Sequence, residues 1–245
     1  MPKPKKRPVE APFLAGVYVV EERVQDWNAY PFNLPFVRGL DLDLSAPVTL
    51  FVGENGSGKS TLLEALAELA RLPVAGGSRN ELADAEKENS RLADAMRPRF
   101  VSKPPDAFFF RADGLNDFAR LLEQRKADPF FEGDPYALYG GKSLRERSHG
   151  QAVNFVLRSR GQGGLFLFDE PEAALSPSRQ TLFVAHLNEC VTTGAYQFVL
   201  ATHSPIVMSI QGARLLDFDQ PKLPQIQPRE TKHWEAFATV MSENK

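Results

Sequence analysis

The sequence predicts an α/β fold: a mainly parallel sheet covered by helices, with antiparallel strands near the N-terminus and a helical, partly irregular subdomain at about 74–147. Three observations predict it. Apolar runs at Val48–Val52, Gly164–Phe168 and Phe198–Thr202 carry no alternating polar positions, which marks strands buried on both faces. Helix-length segments separate the later runs, as parallel connections require. A glycine-rich turn joins the first of these runs directly to a helix.

Taken in order, "MPKPKKRPVE" is basic and Pro-rich with no apolar segment behind it, so residues 1–11 read as a solvated, disordered basic tail. Gly16–Val24 and Val48–Val52 are β-branched strands. Ser60–Arg71 is a helix with Leu62, Leu63, Leu66 and Leu69 near one face, stopped by Pro73 and the Gly76-Gly77 pair. Arg79–Met96 reads as a charged, Ala-rich helical stretch without coiled-coil heptads. Ala107–Ala112 is a short buried strand and Gly114 to about Gln124 a helix. Asp128–Lys142, rich in Pro, Gly and aromatics, is an irregular connection. Helix Gly150–Arg158, strand Gly164–Phe168 and helix Pro177–Val191 follow, the last with Ser176 as N-cap, Pro177 at its first position and Gly194 at its exit. Strands Phe198–Thr202 and Arg214–Phe218 precede a closing helix over Glu230–Met241.

The bulk numbers exclude several classes. The 245 residues are 42% hydrophobic and 24% charged, the composition of a globular protein, and hold no apolar run long enough to span a membrane. With 29 Lys+Arg against 31 Asp+Glu, the net charge of −2 gives no support to nucleic acid as a partner. Cys190 is the single cysteine, which excludes an internal disulfide and a multi-cysteine zinc site and fits a cytoplasmic location.

The turn "GENGSGKS" fits G-x-x-x-x-G-K-[ST] through Gly53, Gly58, Lys59 and Ser60, with Glu54, Asn55, Gly56, Ser57 and Thr61 completing the loop. Glycines let successive N–H groups point at one anion, and the helix start adds its dipole. Such a loop binds a nucleoside triphosphate: Lys59 reaches the β- and γ-phosphates of ATP, and the Ser60 hydroxyl ligates Mg²⁺. In "GLFLFDEPEAALSP" the apolar strand ends on Asp169 and Glu170. Two carboxylates at the end of a buried strand are costly unless cations or water lie beyond them. Asp169 is the expected Mg²⁺ residue. Glu170, turned away from the metal, is the expected general base for the attacking water.

Phosphate loop, "SHGQ" (Ser148–Gln151), "LFLFDEPEAALSP" and "ATHSP" (Ala201–Pro205), in this order and spacing, resemble an ABC-type ATPase over roughly residues 12–219. The resemblance implies a P-loop NTPase fold in one domain over 12–245. It also implies that Ser148, Gly150 and Gln151 form the signature motif that caps ATP held by another subunit, that Ala174–Pro177 is the D-loop, and that His203 is the switch histidine. A head-to-tail, ATP-dependent homodimer follows, acting on an unidentified protein partner. The pattern departs from transporter cassettes in two places. Arg147 and His149 replace the usual Leu and Gly of the signature, and "FFFRADG" offers Arg111 and Asp113 where a Gln is usual. These departures favour the stand-alone branch related to SMC and RecF-like ATPases. An ATP hydrolase is therefore the leading expectation, an ATP-gated switch in DNA maintenance or defence the second, and a transporter motor the third. Tyr30, Phe32 and Phe36 are the candidates for an adenine-contacting aromatic.

Overall fold

The computed structural model describes residues 10–81, 90–137, 141, 143 and 163–243. Among the described residues, ten strands fall into two sheets. The larger has the order β10(Gln225–Ile226), β9(Arg214–Asp217), β3(Val48–Val52), β8(Tyr196–Ala201), β7(Gly164–Asp169), β6(Ala107–Arg111), β4(Gly77–Ser78). Its five central strands are parallel, and the short edge strands β10 and β4 are antiparallel. The smaller sheet, β2(Asp41–Asp43), β1(Leu14–Val19) and β5(Met96–Phe100), is antiparallel throughout.

Why the central strands lack a polar face is visible in their packing. Alternate residues point to opposite sides of the sheet, and both sides are covered. Phe51, Phe109, Leu167 and Val199 pack with Leu62, Leu63 and Leu66 of helix α1(Lys59–Leu69) and with Phe13, Leu14 and Val17 of the small-sheet segment. Their neighbours Leu50, Phe108, Phe168 and Phe198 face the other way, toward Leu122 of α3(Leu115–Ala127) and Phe183 and Leu187 of α4(Pro177–Thr192). Buried Gln197 ties the two sheets together: its side chain accepts from Phe13 N and Leu14 N and donates to Leu14 O and Leu44 O.

The strand expected over Gly16–Val24 starts at Leu14 and ends at Val19, because Glu21–Arg23 turns into a 3₁₀ segment. The helix expected over Arg79–Met96 is a different matter. Only α2(Arg91–Ala95) is helical there besides a 3₁₀ turn at Arg79–Glu81, with residues 82–89 outside the described set. Met96 opens strand β5, whose Pro98 pairs with Val17 at the sheet edge, where a missing N–H costs no ladder bond. Within the range 74–147, β4, β5 and β6 pair into the two sheets. Ser176 and Pro177 do begin α4, although the Ser176 hydroxyl contacts Ser178 and caps no backbone N–H. Gly194, at φ 70°, ends that helical segment. The closing helix, α5(Lys232–Glu243), starts two residues later than expected. Residues 1–9 of the basic tail and the helix expected over 150–158 lie outside the described residues.

Candidate functional site

Parallel registration brings the chemistry to one edge. Asp169 pairs with Ala201 on one side and Arg111 on the other, and Ala201 pairs with Phe51. The residues just beyond these positions therefore emerge together at the carboxyl ends of the strands, where open α/β sheets place their ligands. Strand β8 lies between β3 and β7, so His203 sits between the glycine loop and the carboxylates.

The loop from Gly53 to Gly58 is held in one shape. Gly53 has φ 145°, and an added Cβ would lie 2.9 Å from Asp219 Oδ1. Gly58, the N-cap of α1 at φ 95°, leaves room for Phe36, whose ring would meet an added Cβ at 2.7 Å. Lys59 is 4% exposed and its Nζ donates to Gly53 O and Glu54 O, both at 2.8 Å, and to Ser57 Oγ at 3.3 Å. Burial lowers the Lys59 pKa, and the facing carboxylates of Glu170, Asp219, Asp169 and Glu54 work against that shift. The next residue, Ser60, donates through Oγ to Asp169 Oδ1 at 2.9 Å.

Asp169 is 6% exposed, and burial pushes its pKa up to about 6 despite the Ser60 hydrogen bond and the Arg111 guanidinium 4.0 Å away. A hydroxyl and a carboxylate oxygen side by side are hard donors suited to Mg²⁺, and a cation there would relieve the cost of the buried charge. The donor set therefore fits the metal.

Glu170 takes the left-handed conformation, φ 48° and ψ 53°, which turns it away from Asp169 and ends the strand. Its Oε1 lies 3.2 Å from His203 Nε2. Burial, reinforced by Lys59, lowers the His203 pKa, so the ring is neutral at pH 7. Tyr30, Asn55, Gly56, Gly58, Lys59, Ser60, Thr61 and Glu170 line one open cleft of about 180 Å³.

Of the three candidate aromatics, Tyr30 reaches this cleft, its hydroxyl 2.6 Å from Thr61 Oγ1. Phe32 and Phe36 are core residues at 6% and 2% exposure. Asp113 does not turn toward Asp169; it pairs with Arg111 at 3.0 and 3.1 Å. Ser148, Gly150 and Gln151 lie outside the described residues.

Three further residues join the site that no motif announced. Asp219 accepts from Glu54 N at 2.7 Å and so pins the start of the loop. Glu172 Oε1 accepts from Thr202 Oγ1 at 2.8 Å, His203 N at 2.5 Å and Ser204 N at 3.2 Å, fixing the turn that carries His203. His233 Nε2 lies 3.0 Å from His203 Nδ1. For Glu172 the signal was a third carboxylate in "DEPE"; for Asp219 and His233 there was none before the strand order was known.

With this geometry in place, comparison with known proteins is decisive for the fold. Residues 24–70, which include the glycine loop, match a family model described as an AAA domain. Residues 155–209, which include both carboxylates and His203, match a second AAA-domain model whose description names the AbiEii toxin of a type IV toxin–antitoxin system. An ATP-binding cassette of an ABC transporter superposes with a TM-score of 0.52 at 16% identity, over 96% of this chain and 100% of its own. The fold is that of an ABC-type P-loop NTPase. Two other solved cassettes align less closely. One is cbiO1 from Clostridium perfringens, part of the ABC transporter complex cbiONQ (17% identity, 84% of this chain and 85% of that one, TM-score 0.43). The other is a nucleotide-free ATP-binding cassette from an ABC transporter (14%, 83% and 88%, 0.47). No curated protein matches the chain. No helix among the described residues is long and apolar enough to cross a membrane.

Proposed function

We propose that this P-loop NTPase binds Mg²⁺-ATP and hydrolyses it to ADP and phosphate, with ATP closing a head-to-tail homodimer that signals to a protein partner. The observation that carries the reading is the 3.2 Å contact of Glu170 with His203 at the cleft that Lys59 and Ser60 line. A nucleotide loop needs neither residue merely to bind.

In this reading Lys59 gives up its bonds to Gly53 O and Glu54 O for the β- and γ-phosphate oxygens, while the loop N–H groups hold the rest of the chain of phosphates. Ser60 and Asp169 would hold Mg²⁺, which when bound neutralises phosphate charge. Glu170 orients the attacking water and takes its proton on a carboxylate oxygen. His203 donates Nε2–H toward Glu170 and steadies both the carboxylate and the water. Tyr30, projecting at the cleft beside Thr61, supplies a face for the base. Ser148, Gly150 and Gln151 of a second copy cap the γ-phosphate, which makes hydrolysis depend on dimerisation.

A second reading, a switch in defence or DNA maintenance that turns over slowly, is favoured by the match whose description names a toxin–antitoxin system. The same residues serve it, with hydrolysis resetting the closed state. The transporter-motor reading receives less support, because Arg111 and Asp113 stand where a transporter cassette carries its Gln. Light scattering tests the dimer: Glu170→Gln with saturating Mg²⁺-ATP should double in mass, and a monomeric mass under those conditions contradicts it.

A further inference from the structure

The first turn of α5 touches both halves of the site, and no part of the proposed reaction uses it. Thr231, 6% exposed, anchors that turn: its hydroxyl donates to Pro228 O and accepts from Trp234 N. Lys232 Nζ lies 3.2 Å from Asp219 Oδ2 and 3.8 Å from Glu54 Oε1, against the base of the phosphate loop. His233 meets His203 with ring centroids 4.8 Å apart and the planes tilted by 59°, which aims one ring's nitrogen at the other instead of stacking them.

We infer that His233 is a positioning residue that fixes the tautomer and orientation of His203, and through it the Glu170 contact. A 3.0 Å contact between two ring nitrogens requires one proton between them. An ionised Glu170 is acceptor-only, so His203 Nε2 carries the proton that faces it. Neutral His203 then offers a bare Nδ1, and His233 must supply Nε2–H to it. The chain of donors runs one way: His233 to His203, His203 to Glu170. Histidines that act through one ring nitrogen are commonly fixed by a hydrogen bond at the other. Here the second nitrogen is held from the far end of the chain, while Glu172 holds the His203 backbone. His203 is thereby restrained at backbone and ring together.

This inference rests on the hydrolytic reading, so its test has a readout independent of turnover. Long-range ¹H–¹⁵N spectra at pH 8 are recorded for the wild type, His233→Phe and His233→Gln, with the His203 signals identified by their loss in His203→Asn. The sequence has four histidines, which keeps the spectra tractable. His233→Phe keeps a ring but no donor; His233→Gln keeps an N–H at similar reach. In the wild type and in His233→Gln, His203 should show an unprotonated Nδ1 displaced by its hydrogen bond and an exchange-protected Nε2–H. In His233→Phe the Nδ1 resonance should move toward that of a free imidazole. Phosphate release should fall roughly tenfold in kcat for the Phe variant, the worth of one lost hydrogen bond, with KM unchanged and recovery in the Gln variant. An Nδ1 resonance unmoved in His233→Phe overturns the inference, as does a drop in melting temperature with no change in kcat. An Nδ1 resonance that moves as expected in His233→Phe, with no phosphate released by the wild type, upholds the positioning of His203 and overturns the hydrolytic reading alone.

Discussion

Ser60 Oγ donates to Asp169 Oδ1 at 2.9 Å, joining the start of α1 to the end of β7 across 109 residues of sequence. The burial of Asp169 at that junction carries a consequence for stability. Asp169 is buried with its pKa raised from 3.8 to about 6, so the fold prefers its protonated form. Below the lower value the folded and unfolded chains both hold the proton. As pH rises from about 4 to 6 the unfolded chain releases it first, and wild-type stability falls; above 6 the cost is constant, on the order of 3 kcal/mol. Asp169→Asn keeps an acceptor for Ser60 and removes the buried charge. Without nucleotide or Mg²⁺ it should melt several degrees higher than the wild type at pH 8 and at about the same temperature at pH 4. The same variant should lose the Mg²⁺ dependence of nucleotide binding. Equal melting temperatures at pH 8 in scanning calorimetry contradict the assignment of a buried ionised carboxylate.

Lys59→Ala removes the cation that Gly53 O and Glu54 O hold in place within the loop. A charge-assisted contact to phosphate of about 1.5–3 kcal/mol is lost, so ATP affinity should fall roughly 10–100-fold. Titration with a fluorescent ATP analogue measures it. Unchanged affinity in a folded variant removes Lys59 from the phosphate site.

Glu172 gathers three donors from the turn after β8. Burial raises its pKa. Glu172→Ala takes the acceptor from the Thr202 hydroxyl and the His203 N–H, while Ser204 N keeps Thr202 Oγ1, and should cost roughly 1–3 kcal/mol in a denaturant titration. Glu172→Gln keeps an acceptor oxygen and should cost less. Equal losses for the two variants contradict this account, because Glu172→Gln keeps both the volume and an acceptor oxygen.

Ser148→Arg addresses the shared site. A bulky cation brought from the second copy toward Lys59 should leave nucleotide binding by the monomer intact and abolish the ATP-dependent doubling of mass. Full hydrolysis by this variant means that each copy works alone.

Much of this was legible in the sequence, for identifiable reasons. Val48–Val52 is a strand with the bounds expected, since all five residues are buried and a glycine turn ends it abruptly. The loop, Asp169, Glu170 and His203 sit at strand ends, where local sequence marks both the strand and its stop. Strand β5 was not legible, because "MRPRF" has a proline at its centre and no β-branched residue, and it owes its conformation to pairing with β1. The contacts of Asp219 and His233 were equally hidden. They depend on β9 lying beside β3 and on where α5 returns, which are facts of topology that no local pattern encodes.

Steady-state release of phosphate from Mg²⁺-ATP by the wild type and by Glu170→Gln tests the central claim most directly. The variant keeps the size of the side chain and a polar contact to His203 but loses the basicity that accepts a proton from water. The account predicts measurable turnover in the wild type and a loss of roughly 10²–10⁴-fold in Glu170→Gln, with nucleotide still bound. Turnover by Glu170→Gln near the wild-type rate, or none by the wild type under saturating Mg²⁺-ATP, would contradict it.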